Sequence, residues 1–367
     1  MIGLEVTHDR SAGRLGRCVN GTQGQLRGGR YNDVVMHPPA PILAALIAMA
    51  LGSGCSSCAS YRRCSPPPAE PLRALPTRLS GTGLFADIAS GTPSARVRAY
   101  APAFPLWSDG ADKRRWLELP ASTHIDTSDP DDWVFPVGTR FYKEFARDGR
   151  RLETRLLLKW GPEAGDWTGS AYIWLDDQSD AVLAPEGARD VDQRGYDVPS
   201  AAECGACHGG RRSHVLGFSA LQLGAAKGLP LSLDELVREG LLSAAPETPI
   251  LIPGDETERR ALGYLHANCG HCHNARRPDR DGPRCYDPQR ELDLSLPLAS
   301  GARAAPAYRT AVPEWVTPGE PDQSRLLQLL ARRGRRLHMP PLATERPDPE
   351  GIAWVEAWIA GLRKVRP

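Results

Sequence analysis

The hydrophobic rhythm of the chain changes several times along its length. Residues 1–35 are rich in glycine and arginine and have no apolar periodicity, which predicts a disordered extension, or an upstream stretch ahead of a true start at Met36. Pro41 to Leu51 is a short apolar run, PILAALIAMAL. A bilayer span needs roughly 20 residues, so this run is too short to cross and fits the apolar centre of an export signal. Residues 65–80 are proline-rich and predict a linker. From Leu84 to Glu186 the pattern becomes that of short strands. Arg115–Leu119 and Thr139–Phe145 alternate, and Leu152–Trp160 and Ser170–Leu175 are further β-rich runs, punctuated by turn pairs such as Asp148-Gly149 and Gly161-Pro162. This predicts an antiparallel sandwich or a partly closed, barrel-like sheet.

Past Tyr196 the spacing turns helical. Ser200 with Glu203, and Ser232 with Glu235, read as capping boxes that open short helices, with another at Phe218–Leu223. Asp255 caps a helix running through Arg259, Leu262 and Leu265. A further helix follows Asp322 (SRLLQLLARR) and ends at Gly334. The last, Pro349 to Leu362, carries Ile352, Val355, Ile359 and Leu362 on one stripe, flanked by Trp354 and Trp358. The expected class is α+β, multidomain: 1–54 extension and signal, 55–81 proline-rich linker, 82–195 β-rich domain, 196–250 first helical segment, 251–367 second.

A net charge of +1 gives no global field for nucleic acid. The cysteines change the picture more. Of nine, four lie in Cys204-Gly205-Ala206-Cys207-His208 and Cys269-Gly270-His271-Cys272-His273. Each motif reads C-x-x-C-H, the attachment signature of a c-type haem. Residues i, i+3 and i+4 share a helix face, so two thiols can form thioethers with the vinyl groups of one haem while the histidine meets the iron. C-x-x-C pairs also hold zinc or act as redox dithiols, but zinc-ribbon pairs sit roughly 15–20 residues apart, and these are much further apart. Cys18, Cys55, Cys58, Cys64 and Cys285 remain, an odd number, so no complete disulfide framework is implied. Leu51-Gly52-Ser53-Gly54-Cys55 places small residues before a cysteine, as in a lipoprotein signal. Lipidation of Cys55 would tie the chain to a membrane; a plain cleaved signal, or a buried apolar segment, is the alternative. Either signal predicts export to the periplasm or cell envelope, where c-type haem is attached.

The order helix, C-x-x-C-H, loop, helix, methionine loop, aromatic C-terminal helix over about Ile252 to Arg366 resembles class I cytochrome c. That resemblance makes Met339 the sixth ligand of the second haem, with His338 a rival beside it. A thioether is a known axial ligand, and Pro340 and Pro341 would stiffen the loop that presents it. Residues 82–366 are similar to a family of bacterial dihaem c-type cytochromes, on Pro105-Leu106-Trp107-Ser108-Asp109, Phe135-Pro136-Val137-Gly138-Thr139 and the first C-x-x-C-H. The family implies two covalently bound haem c groups and an envelope location, and no substrate.

The first haem has no methionine to match, because Met1, Met36 and Met49 all lie in or before the signal. A histidine or an open position is implied: His214, six residues past His208, is the nearest candidate, with His124 and His266 behind it. The leading expectation is an electron carrier with a redox partner protein. A dihaem, peroxidase-like enzyme with the first haem open is the alternative. A third reading makes the β domain a module that recruits a partner or carbohydrate. Six of nine tryptophans, Trp107 to Trp174, lie in that domain and read as core aromatics before they read as a sugar platform. Asp126–Asp132 is acid-rich, a solvated turn before it is a calcium site. Arg276, Arg277 and Arg280, with Arg332, Arg333, Arg335 and Arg336, follow the second motif or precede Met339; they read as solvated loop charge before they read as a patch that steers an acidic partner.

Overall fold

A computed structural model describes residues 69–363 except 226, 227, 229, 247–249, 251, 253, 279–290, 299–304 and 335–337. The signal-like run, Cys18, Cys55, Cys58, Cys64 and Cys285 lie outside these residues. No helix among them is long and apolar enough to cross a membrane.

The strands form an up-and-down antiparallel sheet in the order β3 (Arg98–Ala99), β4 (Asp112–Glu118), β5 (Arg140–Arg147), β6 (Arg150–Lys159), β7 (Trp167–Trp174) and β8 (Ala181–Ala184). The β5–β6 turn is the expected Asp148-Gly149, with both residues at positive φ. The sandwich or barrel expected from the strand pattern is corrected. There is one six-stranded sheet with ends at β3 and β8, and beside it only the two-stranded pair β1 (Phe85–Asp87) and β2 (Thr92–Pro93) among the described residues.

Helices and loops take the place of a second sheet, and both faces are covered. Trp116, Tyr142, Leu156 and Tyr172 pack on one face with Leu75, Leu79 and Leu84. Leu117, Phe141 and Leu157, aligned across β4–β6, pack on the other with Trp133, Phe135 and Phe218. Of the six tryptophans expected in the core, Trp116, Trp133, Trp167 and Trp174 are buried, Trp107 is half-buried and Trp160 is exposed.

The linker expected over 55–81 ends earlier. α1 (Ala69–Arg73) begins the fold, Leu75 and Leu79 are buried against the sheet, and the Tyr172 hydroxyl donates to the Pro76 carbonyl at 3.0 Å. Proline-rich composition masked Leu75 and Leu79 as core residues.

The helical segments do not stand apart from the sheet. α2 (Ala201–His208), α3 (Ala220–Gly224) and α4 (Leu233–Arg238) follow β8, and Phe218, Leu223 and Leu236 share the core of Leu117 and Phe141. The described residues all fall within one compact unit. Side-chain oxygens of Ser200, Ser232 and Asp255 accept from the N3 amide at the starts of α2, α4 and α5 (Glu256–Asn268), the expected caps.

α6 (Pro306–Thr310), α7 (Arg325–Ala331) and α8 (Pro349–Gly361) complete the second core, where Leu262 and Leu265 of α5 meet Val355, Trp358 and Ile359 of α8. α5 and α8 approach closely at Gly351, where a Cβ would collide with the Tyr264 ring. Gly351→Ala should therefore destabilise the fold by roughly 1–3 kcal/mol through overpacking. Chemical denaturation of the two proteins side by side tests this, and an unchanged midpoint would refute it.

Candidate functional site

The first motif lies wholly on α2. The Ser200–Glu203 capping box starts the helix immediately before Cys204, so Cys204, Cys207 and His208 fall at i, i+3 and i+4 on one face. Cys204 lies over Gly169 of β7, where the Cβ of an alanine would sit 3.5 Å from the Cys204 Cβ. Nδ1 of His208 is 2.6 Å from the His214 carbonyl. Since a carbonyl only accepts, Nδ1 carries the proton and Nε2 keeps its lone pair, the tautomer an iron ligand needs. Burial pushes the His208 pKa down to about 4, so the ring is neutral at physiological pH.

The second motif hangs from the end of a helix. α5 stops at Asn268 and Cys269 is its C-cap. The chain then keeps turning: the Cys272 amide donates to the Cys269 carbonyl at 3.0 Å and the His273 amide to the same oxygen at 2.8 Å. Cys269, Cys272 and His273 are thereby gathered without a continuous helix. Asn274 is buried behind them and donates to the Gly270 carbonyl at 2.9 Å and the Gly210 carbonyl at 3.2 Å.

That last bond joins the two motifs. Gly210 follows the first C-x-x-C-H by two residues, and a Cβ there would collide with the His271 carbonyl and sit 2.7 Å from the Arg277 guanidinium. The Cys207 thiol feels Cys272, and His208 feels His271. Motifs well separated in sequence thus stand side by side.

The four cysteines form no disulfide. Burial pushes the Cys204 thiol up to about 11 and Cys269 up to about 12, and raises Cys207 and Cys272 as well. A redox dithiol needs a depressed thiol pKa, the opposite of this environment. No group of three His, Cys, Asp or Glu side chains able to hold a metal ion converges among the described residues, whereas a structural zinc takes four protein ligands. Attachment through two thioethers and one imidazole needs no such convergence. The residues therefore fit a haem at each motif: Cys204, Cys207 and His208 at one, Cys269, Cys272 and His273 at the other.

The candidate sixth ligands fall in different places. Met339 follows α7, its amide donating to the Leu329 carbonyl at 3.1 Å. His338 precedes it and is half-buried. His214, at positive φ, holds the His208 ring through its backbone carbonyl. His124 is exposed. His266 is buried, and its Nδ1 accepts from the Leu296 amide at 3.0 Å, which leaves the proton on Nε2 and no lone pair there.

Three of the arginines are engaged: Arg276 pairs with Asp129, Arg277 is buried, and Arg333 donates to the Leu330 carbonyl at 2.8 Å and the Met339 carbonyl at 3.3 Å. Arg332 is exposed, and Arg280, Arg335 and Arg336 lie outside the described residues. The acidic stretch is also engaged, with Asp131 accepting from the Leu298 amide and Asp132 from the Ser213 amide.

Sequence reasoning missed Asp109. Its backbone is in the left-handed region, φ 54°, and the residue is only 3% exposed. One carboxylate oxygen accepts from the Glu345 amide at 3.0 Å and the other from the Arg346 amide at 2.9 Å. Trp107 Nε1 donates to the Arg346 carbonyl at 2.9 Å, and the Trp107 amide donates to Asn268 Oδ1. The Pro105–Asp109 segment thus ties the Met339 loop to the end of α5. Its signal was the Pro-Leu-Trp-Ser-Asp string itself, which carries no periodicity and no chemistry that names a partner.

Comparison with protein-family models, with curated proteins and with solved structures found no match.

Proposed function

We propose that this chain is a dihaem c-type cytochrome that carries electrons in the cell envelope. The observation that carries the reading is the pairing of two C-x-x-C-H motifs at one junction, with His208 held in the ligating tautomer by the His214 carbonyl. Bound at these residues, an iron porphyrin supplies a reversible one-electron couple. The chain's own work is to attach, orient and shield: four cysteines for covalent attachment, His208 and His273 as proximal ligands, Met339 as the sixth ligand of the second haem. Methionine raises a haem's potential, so electrons would pass from the first haem to the second and on to a partner protein.

A second reading is favoured by one observation. His124 is exposed and His266 has its Nδ1 lone pair occupied, so the sixth position of the first haem lacks an evident histidine among these two. An open first haem would suit a peroxidase-like enzyme. Expression with the cytochrome c maturation machinery, followed by haem quantification and spectroscopy, tests both. Two covalent haems per chain with low-spin spectra and no carbon monoxide adduct are expected for the carrier. A carbon monoxide adduct would favour the enzyme, and a chain without covalent haem would overturn both.

A further inference from the structure

The haem-side face of the sheet carries a row of cations in a place where strands usually keep apolar residues. Arg115 of β4 is the cross-strand partner of Lys143 of β5, and Lys143 is the partner of Arg155 of β6. Lys113 lies on the same face, two residues along β4. Like charges directly opposite one another destabilise a sheet. These are interior strands, with β3 beyond β4 and β7 beyond β6, so their side chains do not reach solvent around a sheet edge.

Among the residues of these strands one carboxylate shares this face, and it is taken, while Asp348 at the start of α8 acts on Lys113. Glu153, fully buried, accepts from Arg155 Nε at 2.9 Å and Nη2 at 2.5 Å, and from the Tyr196 hydroxyl at 2.8 Å. Arg155 is therefore neutralised. Arg115 is only 8% exposed and Lys143 is half-buried, and among the described residues neither forms an ion pair. Lys143 has an aromatic partner: its Nζ lies over the Phe145 ring in a cation–π contact, 5.0 Å from the ring centre. Taking a charge out of water without a counter-charge is unfavourable, and more so beside a neighbour of the same sign.

What faces the row is the paired-motif junction. Cys204 lies over Gly169 on this face. The charge of Arg155 acts on Cys204, Cys207 and His208, and that of Lys143 acts on His208 and His271. We infer that Arg115 and Lys143 form the anchoring site for haem carboxylates, a guanidinium and an ammonium receiving the two propionates of a haem held at the adjoining motifs. This rests on the haem reading above. The charges match, two cations to two carboxylates, and the guanidinium fork is built for bidentate carboxylate binding. The cost of leaving the row uncompensated shows independently. Burial and neighbouring cations push Lys143 well below its ordinary value, and burial above all pushes Lys113 to about 8.

The test uses the full-length holoprotein with Arg115→Gln, Lys143→Gln and the charge-preserving Lys143→Arg. A cation beside a haem favours the ferrous, less positive state. Each glutamine variant should lower one haem midpoint by about a tenfold change in the ferrous-to-ferric ratio, 59 mV for one electron, while Lys143→Arg stays near wild type. The midpoint that moves identifies which haem supplies the carboxylates. Should a glutamine variant fail to fold, redox-difference infrared spectra of the wild type decide: carboxylates held by the row stay ionised below the ordinary carboxylate range. Haem present, with no midpoint shifted by either glutamine variant or with carboxylates protonating in the ordinary range, overturns the anchoring site alone. A wild type without covalent haem overturns the site and the haem reading together.

Discussion

Replacing Asp109 with alanine should loosen the Met339 loop and lower the potential of the second haem, although residue 109 belongs to neither C-x-x-C-H motif. The Asp109 carboxylate is the acceptor for two successive amides, Glu345 and Arg346. Its own carbonyl accepts from Arg147, which in turn pairs with buried Asp192 at 2.7 Å. Removing the carboxylate leaves two amides, both on exposed residues, to bond to water instead. The loss should be roughly 1–3 kcal/mol of stability, since each such hydrogen bond contributes about 0.5–1.5 kcal/mol net. The left-handed backbone at 109 adds to the penalty, because asparagine and aspartate tolerate it better than alanine.

Asp109→Asn should accordingly fall between wild type and alanine, keeping one acceptor and the backbone preference. The loop has further ties, including the Thr344 hydroxyl to the Pro340 carbonyl at 2.8 Å, so the fold should survive with the ligand loop displaced. Thermal unfolding and the absorption band of methionine-bound ferric haem report the two effects separately. An alanine variant with wild-type melting and an intact methionine band would show that Asp109 does not position this loop.

The second large effect is expected from Cys204→Ala combined with Cys207→Ala. The covalent haem content should fall from two per chain to one, and the lower-potential wave of a redox titration should disappear. Alanine retains the Cβ of Cys204 that rests on Gly169, so the seat of α2 on β7 should persist. Mass spectrometry of the intact chain measures the outcome directly. Retention of two haems would show that the first motif is not an attachment site. Loss of the higher-potential wave instead would reverse the assigned direction of electron flow.

The sequence by itself determined what is local. Both C-x-x-C-H motifs, the caps at Ser200, Ser232 and Asp255, and the last helix, Pro349–Gly361, follow from short-range hydrogen bonding and periodicity, which a one-dimensional string records. The strands β4 to β7 were legible for the same reason, since their alternation is a property of neighbours along the chain. What lies over each face is not local. Alternation places Arg115 and Lys143 on one face with Leu117 and Phe141, but it cannot say that this face meets α2 instead of water. Only the tertiary structure decided that Gly210 meets His271, that His214 acts through its carbonyl, and that Asp109 holds a loop more than two hundred residues away. In each case the partner is chosen by long-range packing, where the free energy of burying a charge or an amide depends on which surface closes over it.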